Sequence, residues 1–295
     1  MRKVAITGLT GVIGEVLALE ISPKRQITDL FHNTQYSGSA KIQTHTYFDL
    51  LNRAKISAVL ENVKPDIIVH MGAITHIDRC EKDKKYGKKG DVWRINVNGS
   101  YEIAKFCAKQ KVPMVFLSTE CVFDGKKEYF SEDAIKNPIN WYGVTKDEAE
   151  ELILSTGAKI TIIRSVVAYH KNDFNRTIYG KILTDLKTNK NIWAVSDQLF
   201  TPTYTYDIVK AINRVIENKL LGIYHVAPKK SLSPYDFALL VASKNKYSMT
   251  RVKKTTLKSF YNPKRASLRL ANACLLGEKS NKILKFVPKS PEKVL

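Results

Sequence analysis

The stretch Val4-Ala5-Ile6-Thr7-Gly8-Leu9-Thr10-Gly11-Val12-Ile13-Gly14 decides how this chain is read. A short apolar run ends in three glycines spaced three apart, and the residues that follow, Ile13 to Ile21, carry a helical pattern. The spacing predicts a strand, a tight turn and a helix whose free N–H groups and positive dipole end point at one spot. Such a spot suits a pyrophosphate. Gly8 makes the turn, Gly11 lets phosphates approach bare backbone, and Gly14 lets the helix lie close on the strand. Plain structural βα turns use the same glycines, so the rest of the chain has to decide.

Outward from that turn, strand-like runs at Val4 to Thr7, Leu30 to His32, Ile67 to His70, Met114 to Ser118, Ile160 to Ile163 and Ile223 to His225 alternate with helical patterns. The helical patterns are Leu50 to Asn62, Ile95 to Gln110, Tyr142 to Leu154 and Ile208 to Glu217. Nearly unbroken apolar strands in βαβ alternation predict an α/β fold, a doubly wound Rossmann parallel sheet covered on both faces. The last seventy residues differ. Ser233-Pro234 is a helix start leading into Tyr235 to Ser243, followed by scattered prolines, basic residues and short apolar pieces such as Ala273 to Leu276. The expected organisation is a dinucleotide-binding domain of residues 1–165 joined by about 205–227. A smaller, mostly C-terminal substrate-binding part, about 166–204 and 228–295, closes over the carboxyl edge of the sheet, where ligands of such folds bind.

Composition narrows the class. With 295 residues, 44% hydrophobic and 26% charged, the chain reads as an ordinary globular protein with ample core. The apolar run after Met1 is too short for a signal peptide or a membrane span, so a cytoplasmic protein with no membrane partner is expected. Cys80, Cys107, Cys121 and Cys274 lack paired spacing and the six histidines lack ligand spacing, which argues against zinc, a disulfide framework or any other metal site. The net charge is +20, and twelve Lys or Arg stand against two acids between Arg251 and Leu295. A generally basic surface is preferred to nucleic-acid binding, because no lysine run interleaves with aromatics and no helix-turn-helix or zinc spacing occurs. A diphosphate substrate would still gain from the positive field.

Tyr142 and Lys146 stand four apart at the start of a helical segment, so they share one face. An ammonium beside a phenol lowers the phenol's pKa from about 10 and makes it a usable proton donor near neutral pH. By itself the pair could equally be a surface coincidence among 14 tyrosines. Ser118 and Thr119 end a central strand, where hydroxyls can bond a carbonyl oxygen or simply cap a turn. His70, at another strand end, reads as a packed or capping residue.

Together, Thr7-Gly-x-x-Gly-x-x-Gly14, Ser118-Thr119 and Tyr142-x-x-x-Lys146 resemble the extended short-chain dehydrogenases/reductases. Val122-Phe123-Asp124-Gly125, Asp197-Gln198, Thr201-Pro202-Thr203-Tyr204, Asp207, Gly222-Ile223-Tyr224-His225 and Pro263-Lys264-Arg265-Ala266 are similar to the dTDP-4-dehydrorhamnose reductase branch. The resemblance runs from Arg2 to about Val287. It implies a reductase transferring hydride from NADP(H) or NAD(H) to the C4 keto group of a nucleotide-linked 6-deoxy sugar, in surface polysaccharide synthesis. Tyr142 would be the general acid, Lys146 would lower its pKa and hold the nicotinamide ribose, and Thr119 would bond the reacting oxygen. Gly8, Thr10, Gly11, Val12, Ile13 and Gly14 would surround the pyrophosphate. Asp49 and Leu50 would meet the adenine, and Gly72, Ala73 and Thr75 the path toward the nicotinamide. Ser118, Glu120, Cys121 and Val167 are candidate substrate contacts. The expected partner is a nucleotide diphosphate sugar, with a homodimer the oligomer considered.

The stretch Leu30 to Gln35 offers neither a carboxylate for the adenosine ribose nor an arginine for a 2′-phosphate, which leans toward NADP or dual use; Lys24 and Arg25 are candidate substitutes. Glu120-Cys121 replaces the branch's usual Asp-Tyr, and Arg164-Ser165-Val166-Val167-Ala168-Tyr169 lacks its usual tryptophan, so two aromatic sugar contacts are missing. Nucleotide-sugar 4,6-dehydratases carry Thr-Asp-Glu here. Glu120 is one position early and, by alternation along an extended segment, would point elsewhere, which favours reduction over dehydration. The alternatives are a 4-epimerase or 4,6-dehydratase and, in another class, a non-catalytic cofactor-binding subunit similar to the regulatory subunit of methionine adenosyltransferase.

Overall fold

In the computed structural model, which describes residues 2–22, 24–39, 41–171 and 176–295, β1 (Arg2–Thr7) is buried from Val4 onward and stops at Gly8, where φ is +78°. The turn then feeds α1 (Val12–Glu20). A Cβ on Gly14 would stand 2.3 Å from the Gly8 carbonyl oxygen and 2.6 Å from Leu9 Cα, so only glycine lets the helix lie this close.

Seven parallel strands form one sheet. β1 is flanked on one side by β2 (Arg25–Phe31) and then β3 (Ile42–Tyr47). On its other side lie β4 (Ile67–His70), β5 (Met114–Thr119), β6 (Ile160–Ser165) and, at the far edge, the strand Gly222–Val226. This is the doubly wound Rossmann sheet expected from the sequence. Several strand ends differ from the expected ones by one or two residues; the larger differences are β2, which begins at Arg25 and ends at Phe31, and the edge strand β3, which was not anticipated. Its sequence, Ile-Gln-Thr-His-Thr-Tyr, is polar and half exposed, so no apolar run announces it.

Helices cover both faces. On one, α1 packs beside Thr205–Asn218, whose Ile208, Ile212, Val215 and Ile216 recur at helical spacing and are at most 2% exposed. Each such burial contributes about 1.5–3 kcal/mol. On the other face Arg53–Val63, Ser100–Gln110 and Trp141–Ser155 bury Ile56, Leu60, Ile103, Phe106 and Ile153. A third apolar cluster, including Phe123, Tyr169, Phe200 and Phe237, lies beneath the later segments.

Those segments form short parallel pairs, Ile192–Val195 with Val252–Thr255 and Leu199–Phe200 with Asn272–Ala273. The helix Pro234–Lys244 starts at Ser233 as read from the sequence, with a capping box to Asp236. The helix Glu278–Leu284 turns back onto the sheet edge, where Ser280 Oγ accepts from the His225 N–H at 2.7 Å and donates to Glu132 at 2.5 Å. All four cysteines are buried and unpaired. Among the described residues no helix is long and apolar enough to cross a membrane.

Candidate active site

The sheet's carboxyl edge opens on a cleft of about 970 Å³. Gly8, Thr10, Gly11, Val12, Ile13 and Gly14 line it from the first loop, and Gly72, Ala73 and Thr75 from the loop after β4. Thr7 ties these loops together. Its hydroxyl accepts from the Met71 and Gly72 N–H groups at 3.1 and 3.0 Å and donates to His70 Nδ1 at 2.7 Å. Ser100 Oγ donates to the Asn96 carbonyl at 2.7 Å, so His70 Nε2 carries the proton and donates to Ser100 at 2.9 Å. Burial holds the His70 pKa down to about 3. This is the packed, neutral histidine that its strand-end position suggested. Gly11 precedes α1 without a side-chain cap, which leaves the first-turn N–H groups of the helix for a ligand.

Asp49 and Leu50 lie in an adjoining pocket of about 390 Å³ with His32, Asn33 and Thr34. Asp49 Oδ1 accepts from the Leu51 N–H at 2.8 Å and stands 3.6 Å from His32 Nδ1. Among the described residues no Lys or Arg lines this pocket. Lys24 and Arg25 are not substitutes: they precede or start β2, at the end opposite the cleft, and Arg25 is bound to Asn213 at 2.7 Å and Glu217 at 3.5 Å. Arg176 reaches across the glycine loop, donating to the Thr10 carbonyl at 3.2 Å and to Glu15 at 2.9 Å.

Thr119 and Lys146 lie buried behind the cleft-lining residues Leu117, Glu120 and Cys121, and Tyr142 stands one turn before Lys146 on its helix. Asn140 caps the helix Trp141–Ser155 by accepting from the Gly143 N–H at 2.8 Å, and its Nδ2 donates to the Leu268 carbonyl at 3.1 Å. Gly143 is needed there, since a Cβ would fall 2.0 Å from the Cys121 carbonyl oxygen. One turn on, Lys146 is 2% exposed, donates to the Leu117 carbonyl at 2.7 Å and sits 3.7 Å from the Phe116 ring centre. Burial lowers its pKa to about 7. The Thr119 hydroxyl donates to Glu120 Oε2 at 2.7 Å and accepts from the Cys121 N–H at 3.2 Å. The electrostatics correct the sequence expectation: burial, then Cys121 and Glu120, push the Tyr142 pKa well above its ordinary value. Desolvation outweighs the lysine because the ammonium is turned to a carbonyl and an aromatic face.

The substrate candidates divide. Glu120, Cys121 and Val167 line the cleft, Val167 with 41% exposure. Ser118 does not: its hydroxyl donates at 2.5 Å to Glu150, which is held by Arg164 at 2.6 and 2.9 Å on the covered side of the sheet. Glu120 was expected to point away, but Glu120–Val122 is a turn of 3₁₀ helix, where strand alternation does not apply. Among the described residues no group of three or more His, Cys, Asp or Glu is placed to hold a metal.

Several lining residues escaped sequence reasoning. Trp193, Phe260, Tyr261 and Arg269 also line the cleft and form its outer wall; Trp193 is exposed on a strand whose Ile192, Ala194 and Val195 are buried. Burial of both Ala194 and Val195 breaks strict alternation, so no periodic signal pointed to Trp193. Asn96 was also missed. It lies in a π-helical turn, Arg94–Gly99, inside the stretch read as plain helix. Its amide pairs with both backbone groups of Ile74, at 2.8 and 2.9 Å, and donates to Thr145 at 3.1 Å. It thereby links the loop after β4 to the helix bearing Tyr142.

A family model described as the RmlD substrate binding domain matches residues 1–294. The chain belongs to this family. The dTDP-4-dehydrorhamnose reductase of Aggregatibacter actinomycetemcomitans is 27% identical over 249 residues, 82% of this chain and 78% of that protein. Methionine adenosyltransferase 2 subunit beta of Xenopus tropicalis is 27% identical over 248 residues, 82% of this chain and 71% of that protein. The crystal structure of dTDP-4-dehydrorhamnose reductase from Bacillus anthracis str. Ames in complex with NADP matches with a TM-score of 0.84 and 25% identity, over 99% of this chain and 96% of that one.

Proposed function

We propose that this RmlD-family protein is an NADPH- or NADH-dependent reductase of the C4 keto group of a nucleotide-linked 6-deoxy sugar. The observation that carries the reading is that Thr119 is bonded to the cleft-lining Cys121, and Lys146, one turn on from Tyr142, to the cleft-lining Leu117, in a cleft that the glycine loop also lines. The residues present fit a dinucleotide: bare backbone at Gly8 and Gly11, an uncapped helix N-terminus, and the Asp49–Leu50 pocket beside it. When bound, the cofactor supplies the hydride. Tyr142 gives the proton to the former keto oxygen, which Thr119 orients, and Lys146 holds the cofactor's ribose edge. The chain's own contribution is thus alignment and proton transfer.

In this reading residues 1–165 with about 205–227 hold the cofactor, and about 166–204 with 228–295 the sugar nucleotide. The reductase name of the Aggregatibacter and Bacillus relatives supports it. Surface polysaccharide synthesis in the cytoplasm is the setting that goes with it.

Tyr142→Phe should lower turnover of a dTDP-4-keto-6-deoxy sugar by about 10²–10⁴-fold. NADPH binding, measured by fluorescence titration, should stay within a few-fold. Undiminished turnover overturns the assignment. Stoichiometry separates the enzyme rivals, since a reductase consumes NADPH mole for mole whereas an epimerase or dehydratase recycles it. A stoichiometric enzyme partner together with no NADPH oxidation would instead favour a regulatory subunit.

A further inference from the structure

The first turn of α1 carries a carboxylate that is at odds with an anion seated at its N-terminus. Glu15 falls four residues beyond Gly11, so it shares the face of the helix on which the bare backbone of Gly11 lines the cleft. A carboxylate there suits the helix dipole when nothing is bound. It repels a diphosphate brought to the same N–H groups.

Arg176 meets that charge. Its Nη1 donates to Glu15 Oε1 at 2.9 Å and to the Thr10 carbonyl at 3.2 Å, and its Nη2 donates to Glu15 Oε2. The planar fork therefore closes on both carboxylate oxygens, the arrangement for which arginine is best suited, and also grips the residue before Gly11. Arg176 itself lines the cleft together with Thr10, Gly11, Val12 and Ile13.

The cation arrives from a distant part of the chain. Arg176 precedes Thr177, whose hydroxyl caps the helix Ile178–Lys187 by accepting from the Gly180 N–H at 3.2 Å. From that helix Ile178, Lys181 and Ile182 line the same cleft. The contact of Arg176 with Thr10 and Glu15 thus joins the glycine loop to the residues read as holding the sugar nucleotide.

Resting on the reading of this cleft as a dinucleotide site, we propose that Arg176 is a strap across the glycine loop that holds the cofactor through its pyrophosphate. Its guanidinium cancels the charge of Glu15 and sets a cation beside the two phosphates that NADH and NADPH have in common. The 2′-phosphate of NADPH is not its target, because Arg176 is not among the residues of the Asp49 pocket. Seating the cofactor also fixes the start of the helix Ile178–Lys187, so one contact serves both ligands of the cleft.

The test is cofactor binding followed by nucleotide fluorescence with no sugar substrate present. Arg176→Gln should raise the Kd of NADH and of NADPH alike, about five- to tenfold, and the loss should shrink at high salt. ADP-ribose, which keeps the pyrophosphate and lacks the nicotinamide, should lose the same factor as a competitor. Adding Glu15→Gln to Arg176→Gln should restore most of the affinity, since it removes the carboxylate left unpaired. A contact that only tethered the chain would gain nothing from that second change. Arg176→Lys, which keeps the charge without the fork, should fall between wild type and Arg176→Gln. Arg176 is exposed, so the variants should melt with wild type and the binding data report on the strap alone. An unchanged Kd in Arg176→Gln, a loss confined to NADPH, or no rescue by Glu15→Gln overturns the proposal. Wild type that binds neither NADH nor NADPH overturns the cofactor reading instead, which keeps the two failures apart.

Discussion

The floor of the cleft and its outer wall are built by opposite means. The floor is backbone turns and buried groups that satisfy one another, Thr7 with His70 and Ser100, backed on the covered side of the sheet by Glu150 with Arg164 and Ser118. The outer wall leaves Trp193 60% and Phe260 48% exposed, and its Arg269 keeps a buried Nη1 without a hydrogen-bond partner among the described residues while Nη2 holds Asp78 at 2.9 Å. A floor of that kind has its shape before any ligand arrives, whereas the wall carries surface that only a ligand can cover. Stability should therefore reside in the floor and substrate affinity in the wall.

The largest test of that division is Glu150→Ala. It leaves Arg164, 1% exposed, with the Glu132 carbonyl at 3.2 Å, His225 at 3.3 Å and the Phe123 ring face, and with no carboxylate partner among the described residues. Removing one partner of a buried pair costs about 3–5 kcal/mol, to be read from urea unfolding. Because the pair is isolated from the wall, the double variant Glu150→Leu with Arg164→Met should recover most of the loss. Failure to recover would mean that the floor depends on the charges themselves.

A middle-sized effect sharpens the floor's own chemistry. Burial lowers the Lys146 pKa to about 7, below its unfolded value. Between those two values the unfolded chain binds more protons than the folded one, so stability rises with pH in that window. From pH 7 to 8.5 the gain from this group is about 1.5 kcal/mol, read as the difference between wild type and Lys146→Met because cysteines of the unfolded chain begin to ionise over the same range. Urea unfolding of wild type and Lys146→Met at both pH values checks it. An equal rise in the variant would assign the pH dependence elsewhere.

The same division explains what the sequence could tell. The floor's glycine turn was legible because one backbone requirement falls on neighbouring residues: a positive φ at Gly8 and no room for a Cβ at Gly14. Tyr142 and Lys146 were legible because a helix brings residues four apart onto one face. Their protonation was not, since the direction depends on Phe116, Leu117 and Glu120, which approach from other elements. β3 was hidden by its polar edge position, and Glu120 by a 3₁₀ turn where an extended strand end was assumed. The wall assembles residues 193, 260, 261 and 269 from separate segments, and no spacing rule spans such gaps.

The smallest effect on stability belongs to the wall, and there the comparison is most exposed to refutation. Trp193 projects from the strand Ile192–Val195 with its neighbours Ile192, Ala194 and Val195 buried. Truncating a side chain that is mostly in solvent leaves the packing beneath it intact, so Trp193→Ala should change unfolding free energy by no more than about 0.5 kcal/mol. An exposed indole on a cleft rim is, however, suited to cover a flat or apolar ligand face. The same variant should raise KM for the sugar nucleotide several-fold while leaving NADPH affinity unchanged, because Trp193 is not among the residues of the Asp49 pocket. A large loss of stability with an unchanged KM would reverse the assignment, making Trp193 part of the framework and leaving the wall without its aromatic contact.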